Sequence, residues 1–173
     1  MNSSIAPKGE AYPFGGPGSF ILGNTVSMAA QLISRYGSRV DLIYLDPPFG
    51  TGDGFSVKIQ GSKEKLKIPA YNDNLDNASY LAMMRSVLTL CHELLKDTGS
   101  IYLHIDYRMS AKLRLIMDDI FGESCFQNEI IWAYKSGGRS LKHFSRKRDT
   151  ILFYRKSAKA YFNMASIGMP RGP

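Results

Sequence analysis

Residues 40–50, which read Val-Asp-Leu-Ile-Tyr-Leu-Asp-Pro-Pro-Phe-Gly, constrain the fold more than any other part of the chain. The apolar run at residues 42–45 is rich in strand-forming side chains and too short to form the core of a helix. Pro47 and Pro48 lack the backbone N–H that a strand uses, so the strand must end and the chain must turn after Asp46. Ligands bind at the carboxyl ends of strands in open α/β sheets. The sequence therefore predicts that Asp46 lies at a ligand-binding edge.

A strong helix pattern comes later in the chain. Apolar side chains recur at three- and four-residue spacings over residues 78–96, and Asp76 or Asn77 can cap the first turn. The turn at residues 97–99 leads into a second apolar strand at residues 100–105. A strand, a helix and a strand with short connections form a βαβ unit, so we expect the two strands to be adjacent and parallel.

The other segments continue an α/β pattern. We expect further elements at the following ranges: a helix at 25–36, an exposed hairpin at 55–68, a helix from about 109 that stops at Gly122, and strands at 129–134 and 150–154. Residues 1–19 and 164–173 are expected to be irregular. The prediction is an α/β unit over residues 20–163 with mostly parallel strands and flanking helices.

The segment between the last two predicted strands is basic. Asp149 is the only acidic residue between positions 135 and 159, and glycine, serine and Phe144 are interleaved with the cations. Such a loop suits contact with a phosphate backbone. The candidate contacts are Arg139, Lys142, Arg146, Lys147 and Arg148. The alternative interpretation is a solvated hairpin, and the net charge of +7 favours a polyanionic partner only weakly.

Composition limits the class of protein and its location. A length of 173 residues fits one domain. Cys91 and Cys125 are too few for a disulfide scaffold and have no zinc-binding spacing, and no group of residues is expected to bind a metal. Residues 1–10 lack the apolar core of a signal peptide, and no run of about 18 apolar residues is present. We therefore expect a cytoplasmic protein without a membrane span.

The motifs and their order resemble those of a known enzyme family. Residues 46–49 resemble the D-P-P-[YF] motif of S-adenosylmethionine-dependent amino-methyltransferases, which methylate the exocyclic nitrogen of adenine or, less often, of cytosine in DNA. Other matching segments follow in the order of the β-class, which includes modification subunits of type III restriction systems: residues 21–24, 71–73, 99–106, 120–123 and 149–154. The resemblance implies a partial Rossmann-like methyltransferase sheet, S-adenosyl-L-methionine as cofactor and double-stranded DNA as partner.

The resemblance also implies catalytic roles for the motif. The carboxylate of Asp46 and the backbone carbonyl of Pro47 would each accept one N–H of the target amine, which localises its lone pair for attack on the sulfonium methyl group. Pro48 keeps the backbone rigid, and Phe49 would stack on a base flipped out of the duplex. The alternative is a strand followed by a Pro-Pro turn in which Phe49 only packs.

The expected cofactor-binding residues are Asp46, Asn24 and Asp106. Asn24 stands where relatives often carry Gly-Asp or Gly-Asn near the cofactor, but it could equally cap a helix or form a turn. Asp106 follows the second strand and would border the pocket or cap the next helix, and the cap is slightly favoured. Adenine is expected over cytosine because relatives with Asp at the first motif position mostly act on adenine.

In the β-class, the target-recognition region and the Gly-rich cofactor motif follow the segments seen here, and the sequence stops at Pro173 before either. We therefore expect an N-terminal catalytic half that is inactive alone and leaves sheet surface exposed. A restriction subunit or a second methyltransferase chain is an expected partner. The alternatives are a catalytically silent DNA-binding fragment, N4-cytosine specificity and, more weakly, an RNA amino-methyltransferase.

Overall fold

The computed structural model describes residues 18, 20–49, 56–58, 65–67, 76–135, 141–144 and 146–167. Its main sheet has four strands in the order β1-β4-β6-β5, and β2 and β3 form a separate two-stranded sheet. The strands are β1 Val40–Leu45, β2 Ser56–Lys58, β3 Lys65–Lys67, β4 Leu95–Asp106, β5 Phe126–Ala133 and β6 Arg148–Arg155. The antiparallel pairing of β2 with β3 confirms the predicted hairpin.

The first two strands of the main sheet are parallel neighbours, as the sequence predicts. Ile43 lies beside Ile101 and Leu45 beside Leu103 in the register of β1 and β4. Helix α2, Asn77–Leu94, connects them, and the Asp76 side chain accepts hydrogen bonds from two backbone N–H groups of its first turn at 2.9 Å. The bond from the Ser79 N–H, followed by the other bonds at this cap, lowers the pKa of the Asp76 carboxyl. Local capping and the apolar stripe therefore place this unit as expected.

The expectation of mostly parallel strands is wrong. Strand β6 lies between β4 and β5 and is antiparallel to both, so the main sheet is mixed with one parallel pair. The connection between β5 and β6 explains the difference. Residues 134–147 carry glycines, serines and cations without the apolar period of a crossover helix. Since a parallel connection in a sheet needs such a crossover, the chain returns as an antiparallel hairpin instead.

The remaining helices differ from the predictions mainly at their ends. Helix α1 is Ala29–Tyr36, because residues 25–28 form a turn before it. Helix α3, Ser110–Phe121, ends at Gly122, whose φ of 89° suits glycine, as expected. A short helix α4, Met164–Ile167, lies in the segment expected to be irregular.

The core lies between one face of the main sheet and helices α2 and α3. Strand β4 contributes Ile101, Leu103 and Ile105, all fully buried. The helices contribute Tyr80, Met84, Val87, Leu88, Cys91, Leu113, Ile116, Met117 and Phe121. Burial raises the pKa of the Cys91 thiol to about 11, so this cysteine is a packing residue rather than a nucleophile.

The opposite face of the sheet is less covered. The side chains of Leu42 and Tyr44 on β1 are 58% and 54% exposed, and Trp132 on β5 is 63% exposed. A stack of the Tyr102, Phe153 and Phe162 rings covers part of this face. The expected exposed apolar surface is therefore present. Among the described residues, no helix is both long enough and apolar enough to cross a bilayer.

Candidate active site at the sheet edge

The strand directions bring three acidic residues to one edge of the main sheet. Asp46 follows Leu45, which lies beside Leu103 near the end of β4. Because β6 is antiparallel to β4, its beginning lies beside the end of β4, and Asp149 pairs in register with Asp106. The chain therefore gathers polar groups where β1 and β4 end and β6 begins.

The carboxylate of Asp46 lies next to an imidazole. His104 is on β4, and its Nδ1 is 3.5 Å from Oδ1 of Asp46. On the other side of the ring, Nε2 of His104 is 3.7 Å from Oδ2 of Asp149. The Asp46 side chain is 59% exposed, whereas those of His104 and Asp149 are 21% and 20% exposed. Asp46 is thus open to a ligand while the two residues behind it are largely enclosed.

Two aromatic rings surround the same imidazole. The Phe49 ring meets the His104 ring edge-on with 5.6 Å between the centroids. The Tyr44 ring is tilted against it with 6.2 Å between the centroids. His104 therefore contacts both the first and the last residue of the Asp46–Phe49 loop.

The middle of this loop is attached to helix α2. The hydroxyl of Tyr80 donates a hydrogen bond to the backbone carbonyl of Pro48 at 2.8 Å. Tyr80 lies in the first turn of α2 and is 2% exposed, and its backbone N–H bonds to the carbonyl of the capping residue Asp76. A buried, capped helix start therefore fixes the position of a loop that has no ladder hydrogen bonds of its own.

A cleft of about 160 Å³ lies beside Asp46 and also contains Asn24. Its lining is mostly apolar and includes Val26, Pro47, Pro48, Met83 and Val87. Asn24 Oδ1 also accepts a hydrogen bond from the backbone N–H of Ser27 at 3.1 Å, so it stabilises the turn before α1. The structure thus places Asn24 and Asp46 in one cleft and gives Asn24 the turn role as well.

Asp106 does not line that cleft. Its Oδ1 accepts from the backbone N–H of Arg108 at 2.9 Å, and its Oδ2 contacts Nε and Nη2 of the same arginine at 2.5 Å. The side chain is 7% exposed, and the N-cap position of α3 is Met109. Asp106 therefore stabilises the turn into α3 and holds the Arg108 guanidinium at the same edge of the sheet.

The basic segment emerges at the same edge. The guanidinium of Arg146 lies over the Tyr107 ring at 5.7 Å, and Arg148 begins β6. Lys142 is exposed, and Lys147 accepts a hydrogen bond at its carbonyl from the Tyr134 N–H at 3.1 Å. Arg139 and the Tyr71–Asn72–Asp73 segment lie outside the described residues, as do residues 50–54 after the motif.

Comparison with known proteins identifies the family. The profile of the family described as DNA methylase, which covers N6 and N4 methyltransferases, matches residues 40–172. This range is most of the chain and contains the whole sheet edge described above. The chain belongs to the DNA methylase family.

The relatives of this chain include a type II methyltransferase and a subunit of a type III restriction-modification enzyme. The type II methyltransferase M.EcaI of Enterobacter cloacae is 40% identical over 148 residues, which are 85% of this chain and 31% of that protein. The type III restriction-modification enzyme StyLTI Mod subunit of Salmonella typhimurium (strain LT2) is 30% identical over 164 residues, 86% of this chain and 25% of that protein. The chain thus spans a third or less of these relatives.

The fold of this chain also matches a solved structure. PvuII DNA methyltransferase, described as cytosine-N4-specific, aligns with a TM-score of 0.59 and 15% sequence identity. The alignment covers 87% of this chain and 53% of that chain. At this identity the match shows the methyltransferase-like α/β fold alone.

Sequence reasoning missed four residues at the candidate active-site edge of this chain. His104 and Asp149 sit among strand residues, and only the alternation of β4 could have shown that His104 points away from the buried Leu103 and Ile105. Tyr80 belongs to the apolar stripe of α2, and no sequence signal marks the target of its hydroxyl. Arg108 lies outside the basic segment, and its position at the edge depends on the turn held by Asp106.

Proposed function

We propose that this chain carries the amine-orienting site of an S-adenosylmethionine-dependent DNA methyltransferase that acts on adenine N6. The observation that supports this function best is the anchoring of the Asp46–Phe49 loop. The Tyr80 hydroxyl holds the loop at the Pro48 carbonyl, and His104 contacts both ends of the loop. The Asp46 side chain nevertheless stays 59% exposed. A fixed loop with an accessible acceptor is what amine orientation requires.

The loop supplies two hydrogen-bond acceptors for one amine. The Asp46 carboxylate accepts one N–H of the target amine, and the Pro47 carbonyl accepts the other. The neighbouring Pro48 carbonyl is engaged by Tyr80, which sets the orientation of the peptide plane next to it. With both N–H groups held, the nitrogen lone pair is directed away from the ring system of the base and becomes nucleophilic.

Phe49 is proposed to stack on the flipped target base. Its contact with His104 is edge-on and does not use both faces of the ring. Stacking on an aromatic side chain contributes roughly 1–3 kcal/mol per base, enough to offset part of the cost of unstacking that base from the duplex. Phe49 therefore holds the ring of the base while Asp46 and Pro47 hold its amine.

The cleft beside Asp46 is the proposed entrance for the cofactor. Its lining residues Asn24 and Asp46 suit the charged amino acid end of S-adenosyl-L-methionine, and its apolar lining suits the methylene groups next to the sulfonium. When bound, this cofactor supplies an electrophilic methyl group. The cleft volume of about 160 Å³ is below the roughly 300–1,000 Å³ of small-molecule pockets, so these residues form part of the cofactor site.

DNA is the proposed macromolecular partner, and the basic segment is its proposed contact. Arg146 and Arg148 lie at the same edge as Asp46, and Lys142 is exposed. We include Lys147 and Arg139 in this set on sequence grounds. Phosphate contacts from such side chains would position the duplex without reading its sequence.

The base specificity and the assembly are further parts of the proposal. Adenine is preferred because the first motif position is Asp46. N4-cytosine is the alternative, and PvuII DNA methyltransferase, a solved structure of similar fold with 15% identity, is described as cytosine-N4-specific. A type III modification subunit among the relatives supports a restriction subunit, or a second methyltransferase chain, as partner. A cytoplasmic location remains a prediction.

The proposed function is tested with the full native protein. Labelled methyl groups from S-adenosylmethionine are followed into duplex DNA, and the DNA is digested to nucleosides that are separated and identified. The expected product is N6-methyldeoxyadenosine. Finding N4-methyldeoxycytidine instead would show that the enzyme acts on cytosine N4. DNA binding without any methyl transfer would show that the protein is a catalytically silent DNA-binding protein. Methyl transfer to RNA alone would show that the substrate is RNA rather than DNA.

A second arm of this experiment uses the 173 residues by themselves. They span 31% of M.EcaI, so the activity of the whole protein does not follow from them. We expect neither binding of labelled cofactor nor turnover from this arm. Robust turnover would mean that the 173 residues contain a complete cofactor site.

A further inference from the structure

His104 lies between two carboxylates in a way that simple packing does not require. Its Nδ1 is 3.5 Å from Asp46 and its Nε2 is 3.7 Å from Asp149, on opposite sides of one ring. The Nε2 atom is buried and has no hydrogen-bond partner. A buried polar atom without a partner is costly, so an arrangement that keeps one is expected to have a function.

The two distances would suit ion pairs if the ring were protonated, and they are slightly longer than hydrogen bonds. An N–H···O hydrogen bond joins its heavy atoms at about 2.7–3.2 Å. In enzymes without bound substrate, such contacts are often long and shorten in the substrate complex. A small movement of the Asp46 carboxylate toward the ring, together with a small movement of the ring toward Asp149, would complete both bonds.

The chemistry of imidazole decides what the ring can do there. A neutral imidazole has one N–H donor, whereas an imidazolium has two. Only the charged ring can donate to Asp46 and Asp149 at the same time. In that state, one oxygen of Asp46 is held by His104 and the other is directed to the substrate amine.

We propose that His104 is a positioning residue that orients the Asp46 carboxylate, and that Asp149 acts through His104 by holding its ring. This inference rests on the proposed methyl transfer. His104 also contacts Phe49, so one ring would align both the acceptor of the amine and the platform for the base. Within the described residues, no group of three His, Cys, Asp or Glu side chains is arranged to hold a metal ion.

The competing explanation is that His104 only fills space between the Tyr44 and Phe49 rings. Three replacements separate the explanations in the full native protein. His104→Phe keeps a ring and removes both donors. His104→Asn keeps an amide N–H near the position of Nδ1, which faces Asp46, and His104→Gln keeps one near the position of Nε2, which faces Asp149.

A positioning role predicts that kcat depends on the donor toward Asp46. We expect His104→Phe to lower kcat by roughly 10- to 100-fold with little change in the Kd for DNA, an effect of the size seen when supporting residues are removed. His104→Asn should recover much of this loss, and His104→Gln should recover less. If His104→Phe is as active as the unmodified protein, or if His104→Gln is better than His104→Asn, the positioning role is wrong.

The role of Asp149 is tested by combining variants. Asp149→Ala should lower kcat in the unmodified background and have almost no further effect in the His104→Phe background, because its action passes through the ring. If the losses of kcat from Asp149→Ala and His104→Phe multiply in the double variant, Asp149 does not act through His104. Thermal unfolding of every variant shows whether a loss of activity reflects loss of fold.

His92→Asn is the matched control. This histidine lies in the last turn of α2 and also meets a phenylalanine ring edge-on, that of Phe121, with 5.0 Å between the centroids. It should leave kcat unchanged. Absence of methyl transfer from the unmodified protein would overturn the proposed function itself, whereas an active protein with insensitive His104 variants would overturn only this inference.

Discussion

The two faces of strand β4 differ sharply in what surrounds them. On one face, Ile101, Leu103 and Ile105 are fully buried under helices α2 and α3. On the other face, His104 is 21% exposed and reaches the carboxylate of Asp46, which is 59% exposed. Neighbouring residues of one strand thus have different roles, one in the core and one at the candidate site, because successive side chains point to opposite faces of a sheet.

This difference implies that different residues of the neighbouring strands β1 and β4 determine stability and activity. Variants on the helix face should change the free energy of unfolding, and variants at the polar edge should change the rate of methyl transfer. Variants that change both would show that the two faces are coupled. The experiments below test this separation, from the largest expected effect to the smallest.

The largest effect is expected at Asp46. Asp46→Ala in the full native protein should lower kcat for methyl transfer by about 1,000-fold or more, because the variant loses a contact that acts mainly in the transition state. The Kd for DNA and the unfolding midpoint should change little, since the side chain is mostly exposed. Steady-state methyl-transfer kinetics, a DNA-binding titration and thermal unfolding provide the three values.

Asp41 provides the control for Asp46, because it lies on the same strand β1 near its opposite end. It forms an exposed ion pair with Lys96 at 2.6 Å, and its side chain is 74% exposed. Asp41→Ala should keep kcat and cost less than about 1 kcal/mol of stability. If both aspartates affect kcat equally, the active site is not confined to the edge at which β1 ends.

The next effect concerns the helix face. Leu103→Ala should lower the free energy of unfolding by roughly 2–5 kcal/mol, because it leaves a cavity in a closely packed core. Leu42→Ala, on the face of β1 that points away from the helices, should cost much less, since Leu42 is 58% exposed. Urea titrations monitored by tryptophan fluorescence measure both. Equal costs would mean that the second face is covered in the full native protein.

Much of the fold could be predicted from the sequence because local signals agreed with one another. The apolar run before Asp46, the stripe and cap of α2 and the stop at Gly122 each come from neighbouring residues. The position of β6 could not be predicted in this way. It depends on pairing between distant strands, and the strand sequence alone does not distinguish parallel from antiparallel neighbours.

The candidate site was predicted only in part for a similar reason. The Asp46–Phe49 motif is contiguous, so the sequence contains it directly. The residues that support it come from α2, β4 and β6, and they meet only in the folded chain. Asp106 shows that a position at the end of a strand does not determine where the side chain points. Asp106 lies at the same edge as Asp46, but its side chain bonds to Arg108 and does not line the cleft.

A smaller effect is expected from the basic segment. Replacing Lys142, Arg146 and Arg148 with glutamine should reduce the slope of log Kobs for DNA against log salt by roughly 0.9 for each lost phosphate contact. The matched control replaces Arg39, Lys96 and Lys159, which carry the same charge near the opposite end of the sheet. Equal changes in the two triple variants would indicate an effect of net charge rather than of contacts.

The smallest effect is expected at Tyr80, where the two regions meet. Its side chain is buried with the core, but its hydroxyl bonds to the Pro48 carbonyl at 2.8 Å. Tyr80→Phe should therefore cost about 1 kcal/mol of stability, the net value of one hydrogen bond, and should also lower kcat by about tenfold because the Asp46–Phe49 loop loses its attachment.

Tyr154→Phe is the control, because it also removes a buried hydroxyl. This hydroxyl donates to Asp118 on α3 at 2.6 Å and not to the Asp46–Phe49 loop. Tyr154→Phe should destabilise the protein to a similar extent and leave kcat unchanged. If both variants lower kcat equally, the loop responds to the stability of the core as a whole, and the separation between the two faces of the sheet fails.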